Sequence, residues 1–182
     1  MRGYFGIGVD RISKPMNLGN LLRSAHAFGA SFFFTIDAGF KPREVKLSDT
    51  ADSAQHLPLY DFDSVAELVL PRGCRMIGVE LAEDAVELPS FHHPTAAAYI
   101  LGPERGSLSP EVVENCDSLV KIPTKFCVNV GVAGAIVMYD RLLSQGRFAR
   151  RPVTARGNPE PLPSHVHGAP VLRRRKAAGQ AR

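Results

Sequence analysis

Ile122-Pro123-Thr124-Lys125-Phe126-Cys127-Val128-Asn129-Val130-Gly131-Val132-Ala133-Gly134-Ala135 reads as a loop that runs directly into a closely packed helix. Pro123 and the polar pair after it forbid a continuous helix through the first half. From Val128 to Leu143 apolar side chains follow almost without interruption, and Gly131, Ala133, Gly134 and Ala135 keep one face small. Small residues let another backbone, or a ligand, come near. Asn129 stands where loop becomes helix, a place from which an amide can cap backbone groups or hold a ligand.

Upstream of this loop, strand and helix signals alternate. Leu119 to Ile122 reads as the last strand, and Ser109-Pro110-Glu111 opens a helix, with proline at the first helical position and serine as its cap. Ala96 to Leu101, Cys74 to Leu81 and Ser31 to Ile36 read as strands, and Leu57 to Tyr60 as a brief one. Tyr4 to Val9 is the first strand, ending in Asp10-Arg11 before a Ser-Lys-Pro turn. Two helices are expected between these strands. One carries Leu21, Leu22, Ala25, Ala27 and Phe28 and stops at Gly29; the other covers Val65 to Leu70, capped by Asp61 or Asp63. Residues 43–56 are polar and fit either a short helix or a loop. The alternation argues for an α/β fold, a mainly parallel sheet covered by helices on both faces.

Downstream, the character changes near Arg147. Residues 147–182 hold nine Arg or Lys, one Glu and five prolines, a net charge of +8. Against a total of +4 this leaves residues 1–146 at −4, so the basicity belongs to the tail. The expected organisation is therefore a globular domain over residues 1–146 and a basic, proline-rich flexible arm over 147–182, too poor in large apolar groups for a core of its own. A basic arm on a mildly acidic body suits a polyanionic partner. No apolar run approaches ~20 residues and no signal-peptide pattern follows Met1, so a cytoplasmic protein without a membrane partner is expected. Cys74, Cys116 and Cys127 form neither a pair motif nor an even set, and the six histidines show no ligand spacing, so no metal site is expected. The pair His92-His93 before Pro94 reads as a solvated turn.

Three patches follow predicted strands, where ligands bind in open α/β sheets. The first is Asn17-Leu18-Gly19-Asn20-Leu21-Leu22-Arg23. Asn17 and Arg23 can flank one site, or can be a helix cap and half of a surface ion pair. The second, Leu101-Gly102-Pro103-Glu104-Arg105-Gly106-Ser107-Leu108-Ser109, lacks the spacing of a phosphate cradle, and its acid speaks against phosphate. Gly102 and Gly106 permit close backbone approach, and Glu104 suits a cationic or hydroxyl-bearing ligand unless it is an exposed turn carboxylate. The third is the opening loop, where the backbone at Ile122 and Val128 could meet an adenine edge beside Asn129 and Cys127.

In this order the patches resemble the three motifs of the SpoU, or TrmH-like, branch of the SPOUT RNA methyltransferases, over about Phe5 to Leu143. The resemblance implies a parallel α/β domain with a C-terminal trefoil knot, S-adenosylmethionine held by the knotted loops, and a homodimer. It implies transfer of a methyl group to a ribose 2′-hydroxyl of tRNA or rRNA, with no DNA partner. By motif position Asn17, Arg23, Glu104 and Asn129 would be catalytic. Leu101, Gly102, Glu104, Gly106, Ile122, Cys127, Val128 and Asn129 would line the cofactor pocket. Cys127 and Gly131 depart from the family, which more often has serine at the first and serine or another small residue at the second. Because a guanidinium stays charged, Arg23 is better suited to gripping a phosphate and stabilising a developing alkoxide than to acting as a base. The competing expectations are a noncatalytic RNA-binding protein on the same scaffold and a nucleotide-dependent oxidoreductase; the second lacks a glycine fingerprint after the first strand.

Overall fold

β1 (Tyr4–Asp10), α1 (Pro15–Phe28), β2 (Phe32–Ile36), β3 (Leu59–Phe62), β4 (Arg75–Val79), β5 (Val86–Glu87), β6 (Ala96–Leu101), α2 (Pro110–Asn115), β7 (Ser118–Lys121) and α3 (Val130–Gln145) follow one another in the computed structural model, which describes residues 3–40, 56–146 and 148–162. The strands form one sheet in the order β3-β2-β1-β6-β4-β7-β5, and every neighbouring pair is parallel. All carboxyl ends of the strands therefore lie along one edge. The chain divides into two units, Met1–Gly146 and Arg147–Arg182. In the second, residues 148–162 hold neither helix nor strand, only a turn closed by the Gly157 N–H donating to Thr154 O at 3.0 Å. No described helix is long and apolar enough to cross a membrane.

The sheet is buried from both sides, as the apolar character of its strands requires. Phe5, Ile7 and Val9 of β1 share one core with Leu18, Leu21, Leu22 and Ala25 of α1 and Val130, Ala133, Val137 and Met138 of α3. On the opposite face, Phe32, Phe34 and Ile36 of β2 pack with Met76, Ala98, Ile100 and Val112 of α2. The alternating Phe-Gly-Ile-Gly-Val of β1 has a direct reason. Gly6 and Gly8 pair with Phe32 and Phe34, and a Cβ on either would lie 2.2 Å and 2.6 Å from those rings. Two phenylalanines fill the space that the glycines leave.

The small face of α3 meets α1. A Cβ on Gly134 would fall 2.2 Å from Leu21 Cδ1, and one on Gly131 3.3 Å from Asn20 Cβ. The close neighbour of that face is a helix of the same chain, and Ala133 borders a cavity. α1 ends as expected, with Gly29 left-handed at φ 75°.

Several expectations are corrected. α1 starts at Pro15, so the Ser-Lys-Pro stretch is the entry to a helix rather than a free turn, with proline again at the first position. Asn17 therefore lies inside the first turn and does not cap it. Val65 to Leu70 forms only a short 3-10 turn, Val65–Glu67. Asp61 is committed to β3, where it accepts from Thr35, and the six residues from Val65 to Leu70, with Pro71 after them, are too few to sustain a helix on their own. Ser109 sits at the start of α2 without a side-chain cap bond. Between β4 and β6, where the sequence offers no element, the chain forms β5 and a 3-10 turn, Leu88–Ser90. The ambiguous stretch 43–56 lies outside the described residues except for His56.

The His92-His93 expectation fails for His93, which is 2% exposed. Its Nδ1 faces Tyr99 Oη at 2.6 Å and its Nε2 faces Asp140 Oδ2 at 2.9 Å. Arg141 of α3, equally buried, donates to Pro94 O at 2.6 Å, Thr95 O at 2.9 Å and Tyr99 Oη at 3.1 Å. Gln145 adds bonds to the carbonyls of His93 and Pro94, both at 3.0 Å. This cluster ties the last two turns of α3 to the amino-terminal end of β6. Burial holds His93 below its ordinary pKa against the opposing pull of Asp140, and pushes Tyr99 up to about 12.

Candidate functional site

The loops leaving β4, β6 and β7 enclose a cleft of about 280 Å³ at the carboxyl edge of the sheet. Val79, Glu80 and Leu81 come from β4 and its exit, Leu101 to Glu104 and Gly106 from β6, and Ile122, Thr124, Cys127, Val128 and Asn129 from the loop before α3. Lys14, just before α1, Asn17 of α1, and Val130 and Ala133 of α3 complete its border. Two kinds of surface face each other there. Val79, Leu101, Ile122, Val128 and Ala133 give an apolar wall, whereas Glu80 and Glu104 supply carboxylates.

The polar side is a chain of fixed partners. Glu104 Oε1 accepts from the Lys14 N–H and from Asn17 Nδ2, both at 3.0 Å. Its Oε2 accepts from the Ser13 N–H at 3.1 Å and Ser13 Oγ at 3.0 Å. Asn17 Oδ1 in turn accepts from Asn129 Nδ2 at 3.0 Å, and Asn129 Oδ1 accepts from the Gly131 N–H at 2.9 Å. One chain of hydrogen bonds thus joins all three sequence patches, from the β6 loop through the first turn of α1 to the cap of α3. It also fixes the amide orientations, since each oxygen must face a donor.

This geometry changes what Glu104 can do. Partial burial opposes its ionisation, but the bonds from Asn17 and Ser13 outweigh burial and hold it below the usual carboxylate range. It is an anion at neutral pH with four donors of its own chain around it. A ligand would meet its field more readily than a vacant lone pair. Glu80 is tied in the same way, accepting from the Leu81 N–H at 2.9 Å and the Leu108 N–H at 2.8 Å. Gly106 turns the β6 loop at φ 94°, a conformation open to glycine. Asp10, 1% exposed, accepts from the Ser109 N–H at 2.8 Å, and Arg11 reaches Ser107 O at 2.7 Å. The loop is braced from β1 as well as from α1.

Leu101, Gly102, Glu104, Gly106, Ile122, Cys127, Val128 and Asn129 all border the cleft, together with Asn17. Arg23 does not. It lies exposed on α1, six residues or ~9 Å along the helix from Asn17. Cys127 is an exposed thiol on the rim. Sequence reasoning missed Glu80 and Lys14. Glu80 stands at the end of a strand beside the crevice, and that position was its signal; it was hidden by extending β4 to Leu81.

The family model described as the SpoU rRNA Methylase family matches residues 5–139. Among curated proteins, a putative TrmH family tRNA/rRNA methyltransferase of Staphylococcus saprophyticus is 29% identical over 145 residues, covering 72% of this chain and 55% of that protein. The tRNA (guanosine(18)-2′-O)-methyltransferase TARBP1 of Mus musculus is 27% identical over 139 residues, covering 71% of this chain and 9% of that protein. The chain thus spans about half the length of the first of these relatives and a small part of the second. Among solved structures, an rRNA methyltransferase from Sinorhizobium meliloti superimposes with a TM-score of 0.70 at 21% identity, over 78% of this chain and 56% of that one. The SpoU methyltransferase AviRb from Streptomyces viridochromogenes, in complex with the cofactor AdoMet, gives 0.68 at 22% identity, over 78% and 60%. At these identities the superpositions establish the fold.

Proposed function

Since the chain belongs to the SpoU rRNA methylase family, we propose that it transfers the methyl group of S-adenosylmethionine to a ribose 2′-hydroxyl of tRNA or rRNA. The observation that carries this reading is the hydrogen-bonded chain Glu104–Asn17–Asn129 on the border of the carboxyl-edge cleft. The cleft fits the cofactor in kind. Its apolar wall suits an adenine, and its two carboxylates suit a ligand bearing a sulfonium and an ammonium group.

When bound, the cofactor supplies an electrophilic methyl group; the protein has to align the acceptor oxygen with it and stabilise charge on that oxygen. Asn129 Nδ2 donates one hydrogen bond to Asn17, and in this reading its second N–H orients the ribose. Glu104 holds Asn17 and the entry of α1 in register while lending negative potential to the cationic site. Arg23, outside the cleft lining, holds an RNA phosphate near the developing alkoxide and takes no proton, because its guanidinium remains charged. Residues 147–182 add a basic arm for the RNA.

A trefoil knot belongs to the same reading. What supports it is the path of the chain, which passes from β7 beside the ends of β4 and β6 to lay α3 against α1. A homodimer is supported by the stripe Val132, Ile136, Tyr139 and Leu143 along α3, three of them at least 36% exposed. A cytoplasmic location belongs to the same reading.

Isothermal titration with S-adenosylmethionine and mapping of 2′-O-methylation in RNA from cells lacking the protein test the proposal. Cofactor binding and one missing methyl group are expected. Absence of both leaves a noncatalytic RNA-binding scaffold. Arg23→Ala should lower turnover more than about tenfold, and a smaller effect counts against its role.

A further inference from the structure

At the edge of the cleft stands a group that the proposed transfer does not use. Phe126 is 76% exposed, more than any other described aromatic residue. Single exposed apolar side chains are common on protein surfaces; this one is set apart by the backbone that carries it and by its place beside the cleft. Its backbone is held firmly. The Thr124 N–H donates to Ile122 O at 2.7 Å, and Thr124 Oγ1 donates to Phe126 O at 2.9 Å, closing a tight turn around the residue. Thr124 and Cys127, on either side of it, both line the cleft, so the ring is carried on the cleft's rim.

The chemistry around the rim identifies what could cover it. Lys125 is exposed next to the ring. A shallow basin bordered by Arg11, Ser13, Lys14, Pro103, Glu104 and Arg105 adjoins the cleft and shares Lys14, Pro103 and Glu104 with it. Glu104 is satisfied from within by Ser13, Lys14 N–H and Asn17, and Arg11 is tied to Asp10 and Ser107. Lys14 and Arg105 are exposed and make no ion pair among the described residues. An uncovered aromatic face with uncommitted cations on the same rim is the pattern that binds an unpaired nucleotide, whose base stacks while its phosphate is neutralised.

We propose that Phe126 is the stacking platform for a base of the RNA strand entering the cleft, and that Lys14 and Arg105 hold a phosphate of that strand. This rests on the RNA methyltransferase reading and adds to it a positioning residue that neither joins the hydrogen-bonded chain nor lines the cleft. A base stacked on the rim is drawn out of its helix, which brings the 2′-hydroxyl of its ribose within reach of the cleft.

The test uses the full chain with unfractionated tRNA and rRNA from cells lacking the protein, measuring RNA affinity by filter binding and methyl transfer with labelled S-adenosylmethionine. Phe126→Ala should weaken RNA binding and raise KM roughly tenfold to a hundredfold, the range of one lost base stack, with cofactor affinity unchanged. Phe126→Trp and Phe126→Tyr should restore binding, whereas Phe126→Leu, apolar without a π face, should not. Arg105→Ala should lower the slope of log affinity against log salt by about one, the mark of a phosphate contact. Full activity in Phe126→Leu, loss of cofactor binding in Phe126→Ala, or a changed oligomeric state in Phe126→Ala would each overturn the proposal. If the unaltered protein binds no S-adenosylmethionine, the methyltransferase reading falls, and the filter-binding comparison still decides whether Phe126 stacks on RNA.

Discussion

Helix α3 is fastened at both ends by side-chain hydrogen bonds, and the two fastenings differ in kind. At its amino end Asn129 caps the helix, reaches Asn17 and through it Glu104, and remains exposed on the border of a cleft. At its carboxyl end Asp140, Arg141 and Gln145 close on His93, Pro94, Thr95 and Tyr99, with His93 and Arg141 only 2% exposed. A polar group shut away from water must find its partners inside the protein, and the side-chain groups of this cluster do so except for Arg141 Nε, so the second cluster is a strut. The first keeps one side toward solvent and can exchange water for a ligand without leaving a buried group unpaired. The same residue types make a site or a strut according to which side stays open.

The strut should fail most heavily. Arg141→Ala removes three buried charge-assisted hydrogen bonds and empties the space of the guanidinium, although Pro94 O keeps Gln145, Thr95 O keeps the Tyr4 N–H and Tyr99 Oη keeps His93. A loss of about 2–4 kcal/mol is expected in chemical denaturation. Arg141→Lys should recover little of it, because one ammonium cannot reproduce the planar fork that spans two carbonyls and a hydroxyl. A loss below about 1 kcal/mol for the alanine variant would show that water replaces the guanidinium and that the cluster is no strut.

At the open end stability and activity should separate. Asn17→Ala removes one of four donors to Glu104 and the acceptor for Asn129, so a stability loss of only about 1 kcal/mol is expected. Under the proposed function, kcat/KM for RNA methylation should nevertheless fall about a hundredfold, equivalent to ~2.7 kcal/mol of transition-state stabilisation. A variant that loses stability as heavily as Arg141→Ala while keeping its activity would make both ends structural.

The two ends were unequally legible in the sequence. The open end could be read because each residue of the chain sits in a local pattern: Asn129 before an apolar helix, Asn17 at the entry to another, Glu104 between glycines after a strand. Their convergence on one cleft follows from a parallel sheet, which brings the exits of β4, β6 and β7 to the same edge. The strut had no local signature. His93, Tyr99 and Asp140 are 6 and 47 residues apart, and only the register of β6 beneath α3 joins them. His93 was misread because the polar, proline-bearing residues around it describe a turn, and burial of its ring is decided by tertiary packing. The short β5 and the missing helix at Val65 have the same cause, since two-residue strands and single 3-10 turns carry no periodicity to detect.

The smallest effect isolates the strut by titration. His93 has its folded pKa lowered from 6.5, chiefly by burial, so between pH 6.5 and the folded value the unfolded chain binds the proton more readily than the native one. Stability must then fall as pH drops below 6.5, by at most about 1.4 kcal/mol per pH unit for one proton. Asp140 is the acid facing the ring, Arg141 and Tyr99 the other ionisable groups in the cluster, and His92 precedes it in the chain. At the open end the sign is the same but the window is lower. Glu104 is depressed below 4.5, so its contribution is complete above that pH and is lost only as pH falls through its folded value. Denaturation measured from pH 7 to 5 therefore reads the strut, and from pH 4.5 downward the site together with Asp117, where against burial the Met76 N–H and Arg75 hold the carboxyl below 3.8, so that Glu104→Gln is needed to separate the two. His93→Gln should lose the first slope and keep the second, and an unchanged slope between pH 6.5 and 5 in that variant would place the responsible proton elsewhere in the molecule.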